Sequence, residues 1–309
     1  MLRSSTLAKV ARAETVAADF GGVLSRRQLT DLGLHRDVVA RLVRDHRWAL
    51  SGTRSVATHC GQLEPSGLRW RAVHEVGGDA LVDGVSSLTA AGLTGIGDDV
   101  VHVSVHMSMR SPVIAGVRVH KVSRRLTGEG MPAGVPRTRP SLAALRAAQW
   151  AVSDRQAALF LVAPVQQRVV TADQLRETHA WYIGRRRRAL VGQLIEDIAD
   201  GAQSLGELDL AAMCRTRGLP VPERQVVVQG KDGRFYLDVR WAAGLVVEVD
   251  GSQHLQGVAP VDDMLRHNEV AMRGDLVLRV PLIGLRLEAD AFLDQIAQAL
   301  RLLALRQAS

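Results

Sequence analysis

Leu245-Val246-Val247-Glu248-Val249-Asp250-Gly251 is the stretch on which the reading of the last third of the chain turns. It begins as an uninterrupted apolar run and ends in two carboxylates spaced two apart. Alternate residues of a strand share a face, so this spacing predicts that Glu248 and Asp250 project together from one strand end. Acids closing an apolar strand are costly to bury unless something compensates them. A divalent cation compensates, and Mg2+ or Mn2+ suits a site with few carboxylates and several waters. Asp238, in Tyr236-Leu237-Asp238-Val239, lies one hairpin earlier and adds a third acid from the neighbouring strand. Three acids at one sheet edge can hold a metal that activates water and offsets charge on a phosphoryl group. The spacing also fits a plainer reading. Asp250-Gly251 alone is a turn signal, and Arg240, Arg266 or Arg279 could neutralise the acids as ordinary ion pairs.

The surrounding pattern predicts a helix over 204–217, stopped at Gly218-Leu219-Pro220. Strands over 225–229 and 235–241 flank Lys231-Asp232-Gly233, a hairpin turn signal. The strand at 245–250 follows, then a helix over about 261–274, a strand over 276–280 and a last helix over 288–303. A strand order interrupted by a crossover helix implies an α/β sheet with helices on its faces.

Several spaced elements agree in order with a known pattern. They are Gly218-Leu219-Pro220-x-Pro222, Gln225, Gly233-x-x-Tyr236-x-Asp238, Glu248-Val249-Asp250-Gly251-x-x-His254, Asp263-x-x-Arg266 and Gly274-x-x-Val277-Leu278-Arg279. Over roughly 204–305 the chain resembles a bacterial domain family that is itself similar to the very-short-patch-repair (Vsr-like) endonucleases, within the PD-(D/E)XK, or restriction-endonuclease-like, nuclease superfamily. The resemblance implies that Asp238 and Glu248 are the paired acids of that superfamily and Glu207 the acid of the opening helix. Asp250 joins Asp238 and Glu248 in the metal set by its strand spacing, not by the resemblance. His254 would be an acid or base near neutral pH, and Arg266 a phosphate contact. The chain departs from the superfamily at Asp250, where many members carry Lys. None of its three lysines, Lys9, Lys121 and Lys231, falls in the motif.

The front of the chain has a different grammar. Helical spacing over 8–20 is stopped by Gly21-Gly22. Ser25 with Gln28 three positions later is a capping-box pattern opening a short helix that Gly33 ends. A further helix over 36–45 sets Val38, Val39, Leu42 and Val43 on one side and Arg36, Arg41 and Arg44 on others. Residues 48–58, with Gly52 between short runs, read as a two-stranded wing. Helix, turn, helix and hairpin is the order of a winged helix-turn-helix, which would set Arg36, Arg41 and Arg44 in a DNA major groove. Gly21-Gly22-Val23-Leu24-Ser25-x-x-Gln28-Leu29, Gly33-Leu34 and Arg47-Trp48 resemble the N-terminal winged helix of AbiEi-type antitoxins. Residues 80–125, with Val85-Ser86-Ser87 and Ala90-Ala91-Gly92-Leu93, are similar to the segment C-terminal to that domain in related proteins. This resemblance implies DNA binding and transcriptional self-regulation. Between the two ends, 61–200 reads as mixed helix and strand: alternating residues over 100–106 and 117–122 predict paired strands, and helices are expected over 68–76, 86–93, 140–152, 155–162, 172–179 and 188–200.

Bulk composition bounds these readings. The 309 residues carry 39 basic and 32 acidic side chains, a net charge of +7. Residues 204–309 hold 12 basic and 14 acidic, leaving 27 basic and 18 acidic in the first 203. A basic front favours a polyanion through counterion release. Aromatics at 4% disfavour a stacking platform for single strands, so double-stranded DNA is the expected partner. Two distant cysteines support neither a disulfide framework nor a zinc site. No apolar run suits a bilayer and no secretory leader is legible, so a cytoplasmic chain without a membrane partner is expected. The expected class is α/β (α+β). It comprises a winged helix-turn-helix at 1–60, a mixed α/β middle region at 61–200 and a restriction-endonuclease-like domain at 201–309, with a homodimer open. The function read from these features is a DNA-binding, Mg2+- or Mn2+-dependent endonuclease. The competing reading is a non-catalytic, antitoxin-like transcriptional regulator built on a degenerate nuclease fold.

Overall fold

The computed structural model describes residues 3–96, 99–110, 112–182, 184, 186–207, 209–229, 235–250 and 276–307. The chain divides into two compact units, 1–147 and 148–309, and both contain helices and a sheet. Residues 61–200 therefore contribute to both units.

Unit 1 opens with α1 (Ser4–Ala18), β1 (Val23–Ser25), α2 (Arg26–Asp31), α3 (Arg36–Arg44), β2 (Ala49–Leu50) and β3 (Ser55–Ala57). The capping box forms as the sequence predicts: the Gln28 backbone donates to Ser25 Oγ at 3.2 Å and the Ser25 backbone donates to Gln28 Oε1 at 2.8 Å. Two donors at the helix start that have no intrahelical partner are thereby satisfied. Val10, Ala13 and Ala17 of α1, Leu29 of α2, and Val39 and Leu42 of α3 close one core with Leu24, Leu34, Trp48 and Val56. The indole N–H of Trp48 is the one polar atom that Trp brings to this core, and it donates to Glu14 at 3.0 Å. The sheet has three strands in the order β1-β3-β2, one more than the expected hairpin. Val23-Leu24-Ser25 is too short to show a period of two, so the extra strand was not legible.

α4 (Pro65–Val76), β4 (Leu81–Val82), α5 (Gly84–Ala90), β5 (Val101–His106), β6 (Val117–Val122) and the start of α6 (Pro140–Trp150) complete the unit. α4 comes close to the first module at Gly21, where a Cβ would sit 2.5 Å from the Gly67 nitrogen; with φ at +59° only glycine suits that turn. β5 and β6 pair as expected, in parallel register Val101↔Val117. Val101, Val103, Val105, Val117 and Val119 of these strands form a small core with Ala72, Val76 and Ala80.

Unit 2 contains α7 (Asp154–Gln166), α8 (Ala172–Trp181), α9 (Arg188–Glu207), α10 (Leu210–Thr216), β7 (Arg224–Gln229), β8 (Phe235–Trp241), β9 (Leu245–Asp250), β10 (Leu276–Pro281), α11 (Leu282–Leu287) and α12 (Ala289–Gln307). The single helix expected over 204–217 is a correction. α9 ends at Glu207, and Asp209, with φ −89° and ψ 79°, caps a separate α10 by accepting from the Ala212 backbone at 2.7 Å. An aspartate at this position offers an N-cap that competes with continuing the helix. α7 also runs beyond the expected 162, through Pro164 to Gln166. β7, β8 and β9 are antiparallel neighbours and β10 joins β9 in parallel, giving the sheet order β10-β9-β8-β7. Val239, Trp241, Leu245, Val247, Val249 and Val280 share one buried core with Leu210 and Cys214 of α10, Leu282 and Leu285 of α11, and Leu293 and Ile296 of α12. The helix expected over about 261–274 lies outside the described residues.

Candidate functional site

Strand alternation sorts unit 2 into an apolar and a polar sheet face. Val239, Trp241, Val247, Val249 and Val280 take the core side. The interleaved positions Asp238, Glu248 and Arg279 therefore belong to the opposite face. The register brings these three into one row across adjacent strands, Asp238↔Glu248 between β8 and β9 and Glu248↔Arg279 between β9 and β10. Directly opposed residues have Cβ atoms about 4.5–5.5 Å apart. The sequence predicted the first pairing from one hairpin of separation. The second arises because β10 returns parallel to β9.

Glu248 is only 3% exposed, and its Oε2 lies 3.2 Å from Arg279 Nε. Of the three arginines that composition offered as neutralisers, Arg279 is therefore seated on Glu248. Its own side chain is 38% exposed. Asp238 is half-buried. Asp250 ends β9 in register with Tyr236 and Pro281, two positions beyond Glu248. Glu207 is the last residue of α9. The side chains of Asp250 and Glu207 are not among the described groups, and His254, Asp263 and Arg266 fall in 251–275, outside the described residues. Among the described residues no group of three or more His, Cys, Asp or Glu side chains is gathered as a metal site would require. Of the acids that the sequence singled out, Asp238 and Glu248 are the two whose side chains are described, and they stand opposite one another on adjacent strands. Two hard oxygen donors fit Mg2+ or Mn2+, which keep waters in their remaining positions.

In unit 1 the three arginines of α3 take different surroundings. Arg36 and Arg44 are exposed, and Arg41 is half-exposed with Asp45 one turn on at 3.6 Å. Val39 and Leu42 anchor the opposite side in the core, so α3 offers a basic outer face on a fixed frame. The turn between β2 and β3 is not free. Glu75 of α4, 5% exposed, accepts from the Thr53 backbone at 2.9 Å, the Arg54 backbone at 2.8 Å, the Ser55 hydroxyl at 2.7 Å and the Thr53 hydroxyl at 3.1 Å. Arg71 of the same helix donates to the Ser51 carbonyl at 2.5 Å. The sequence reading missed this clamp, because Glu75 stands in a helix with no local sign of its distant partners.

Burial pushes the Glu75 carboxyl upward, but the hydrogen bonds from Ser55, Arg54 and Thr53 outweigh it and hold the group below the ordinary glutamate range. A carboxylate depressed in the folded state contributes stability above its unfolded pKa and loses it as pH falls through the folded value. Glu75→Gln is expected to speed amide exchange at Thr53 and Arg54 at pH 7 by about tenfold, consistent with losing about 1–2 kcal/mol of local stability. The difference from the parent narrows as pH falls through the depressed Glu75 pKa. Exchange rates at those two amides across pH 7 to 3 check both statements.

Compared with known proteins, the chain matches no protein-family model and no curated sequence. Among the described residues no helix is long and apolar enough to cross a membrane.

Proposed function

We propose that the chain is a DNA-binding, metal-dependent endonuclease that hydrolyses phosphodiester bonds of double-stranded DNA. The observation that carries this reading is the register pairing of Asp238 with Glu248 on adjacent strands, with Asp250 closing the same strand. An opening helix, three antiparallel strands and a fourth strand parallel to the third support a restriction-endonuclease-like sheet in unit 2. Asp238, Glu248 and Asp250 would hold Mg2+ or Mn2+. The bound ion would supply Lewis-acid stabilisation of phosphoryl charge and a more acidic water. The chain's own share is placement. β8 and β9 fix the acids without loop freedom, and the buried setting of Glu248 strengthens its interaction with any cation. Glu207, His254 and Arg266 stay in the proposal as the further acid, the proton-transfer group and the phosphate contact.

Unit 1 would deliver the enzyme to DNA. The order α1, β1, α2, α3, β2, β3 and the sheet order β1-β3-β2 support a winged helix in which α3 is the groove-reading helix. With the hairpin turn held to α4 by Glu75 and Arg71, the basic face of α3 carries the contact. Replacing Arg36 and Arg44 together by Ala is expected to weaken duplex binding. It should also reduce the slope of log K against log salt by up to about 0.9 for each phosphate no longer neutralised. Binding titrations from 50 to 300 mM salt measure it; an unchanged slope removes α3 from the interface.

The reading as a whole is tested by incubating the full chain with plasmid and short duplexes in Mg2+ or Mn2+. Nicked or linear product that disappears with chelator is expected. Folded protein that binds duplex but cuts none of these substrates supports the second reading instead, a non-catalytic DNA-binding regulator. One observation favours that alternative: Arg279 already stands on Glu248 as a cation of the chain itself.

A further inference from the structure

The row Asp238, Glu248, Arg279 holds an asymmetry. Glu248 is 3% exposed, whereas the Arg279 side chain bound to it through Nε at 3.2 Å is 38% exposed. A buried carboxylate stripped of its countercharge is strongly destabilising. A guanidinium at the surface moves into water at much smaller cost. Arg279 sits on Oε2 of Glu248, so a divalent ion taken by the same carboxylate meets the guanidinium at close range, and the repulsion between them sets each against the other at that group. Arg also differs from Lys in presenting a planar fork of donors that matches a phosphate.

On these grounds we infer that Arg279 is a resident counter-cation: it holds Glu248 while the metal is absent, gives it up to a divalent ion, and turns its guanidinium to a phosphate of bound DNA. The inference rests on the metal-binding reading of Glu248 and Asp238. Its consequence is coupling. A phosphate that draws Arg279 away from Glu248 raises affinity for the ion, and the ion raises affinity for DNA by the same factor. The metal then loads preferentially on the DNA complex.

Calorimetric titration of Mn2+ into the full chain tests this, without DNA and with a short duplex whose linkages are phosphorothioates. Arg279→Met is expected to bind Mn2+ about tenfold tighter than the parent in the absence of DNA, with Arg279→Lys between them. The duplex should tighten Mn2+ binding to the parent by a similar factor and leave Arg279→Met nearly unchanged. Glu248→Gln should abolish the Mn2+ signal in every background. Should Arg279→Met fail to fold, Arg279→Lys and the duplex dependence of the parent decide alone. Glu248-dependent binding that is equal in the parent and the Arg279 variants, or tightened equally by duplex in all of them, overturns the inference and leaves the metal site standing. Binding that is absent throughout, or indifferent to Glu248→Gln, removes the metal site and the inference together.

Discussion

Glu248→Ala is expected to lower DNA cleavage by about 10²–10³-fold or more while duplex affinity stays within about threefold. Glu248 sits at the centre of the row, between Asp238 on β8 and Arg279 on β10, and is the most buried of the three. Removing it takes away a proposed metal ligand and leaves Arg279 as a cation facing the vacated position. That cation repels any ion still held by Asp238. Stability should suffer little, because the orphaned partner is half-exposed and can be hydrated. Duplex affinity is set by unit 1 in this reading, so single-turnover cleavage and equilibrium binding measured on the same preparation separate the two effects. Loss of binding in parallel with cleavage would mean that Glu248 supports the fold and not the chemistry.

Arg146→Met is expected to destabilise unit 1 by about 3–5 kcal/mol. Arg146 is fully buried in α6 and bridges Asp83 at 2.7 Å and Glu129 at 2.9 Å, which are 0% and 4% exposed. Asp83 also caps α5 by accepting from the Gly84 backbone at 2.7 Å. Glu129 takes a second guanidinium from Arg125 at 2.7 Å. Met replaces the stem of Arg146 but leaves Asp83 without its ion pair. Burial pushes Glu129 upward, and Arg146, the Leu126 backbone and Arg125 more than reverse this, so its carboxyl lies below the ordinary range. In the parent that contribution is present above the unfolded glutamate pKa and is lost as pH falls through the depressed folded value. The variant lacks most of it, so parent and variant should converge in acid. Urea unfolding followed between pH 7 and pH 2.5 checks both the size and the convergence. An equal difference at both ends of the range would mean that packing, and not charge, is what Arg146 supplies.

How much of this was legible in the sequence depended on whether the signal was local. The Ser25–Gln28 capping box, the Pro-opened α6 and the apolar run of β9 each carry their cause within a few residues, and they formed where expected. The Asp238–Glu248 pairing was also local, because a hairpin of fixed register joins the two strands. Arg279 was not placed beside Glu248 by the sequence, since a parallel register across a crossover cannot be read from spacing. The Glu75 clamp and the Arg146 network were missed for the same reason: their partners lie 20 or more residues away in most cases. One sign of the second was available. Arg146 is a lone charge in Leu142-Ala143-Ala144-Leu145-Arg146-Ala147-Ala148, a run otherwise suited to burial on all sides. The split of 204–217 into two helices turned on Asp209, whose capping strength is comparable with the propensity it interrupts.

An acid row with a chain-borne cation at one end is compatible with a nuclease and with a regulator that has lost the chemistry, and the ion itself separates them. The anomalous difference density of a full-chain crystal soaked in Mn2+ together with duplex is the most direct measurement. A peak held by the Asp238 and Glu248 carboxylates, with Arg279 turned to a phosphate oxygen, is the expected result. Saturating Mn2+ that leaves Arg279 on Glu248, with no peak at either acid, would contradict the metal-dependent reading at its base.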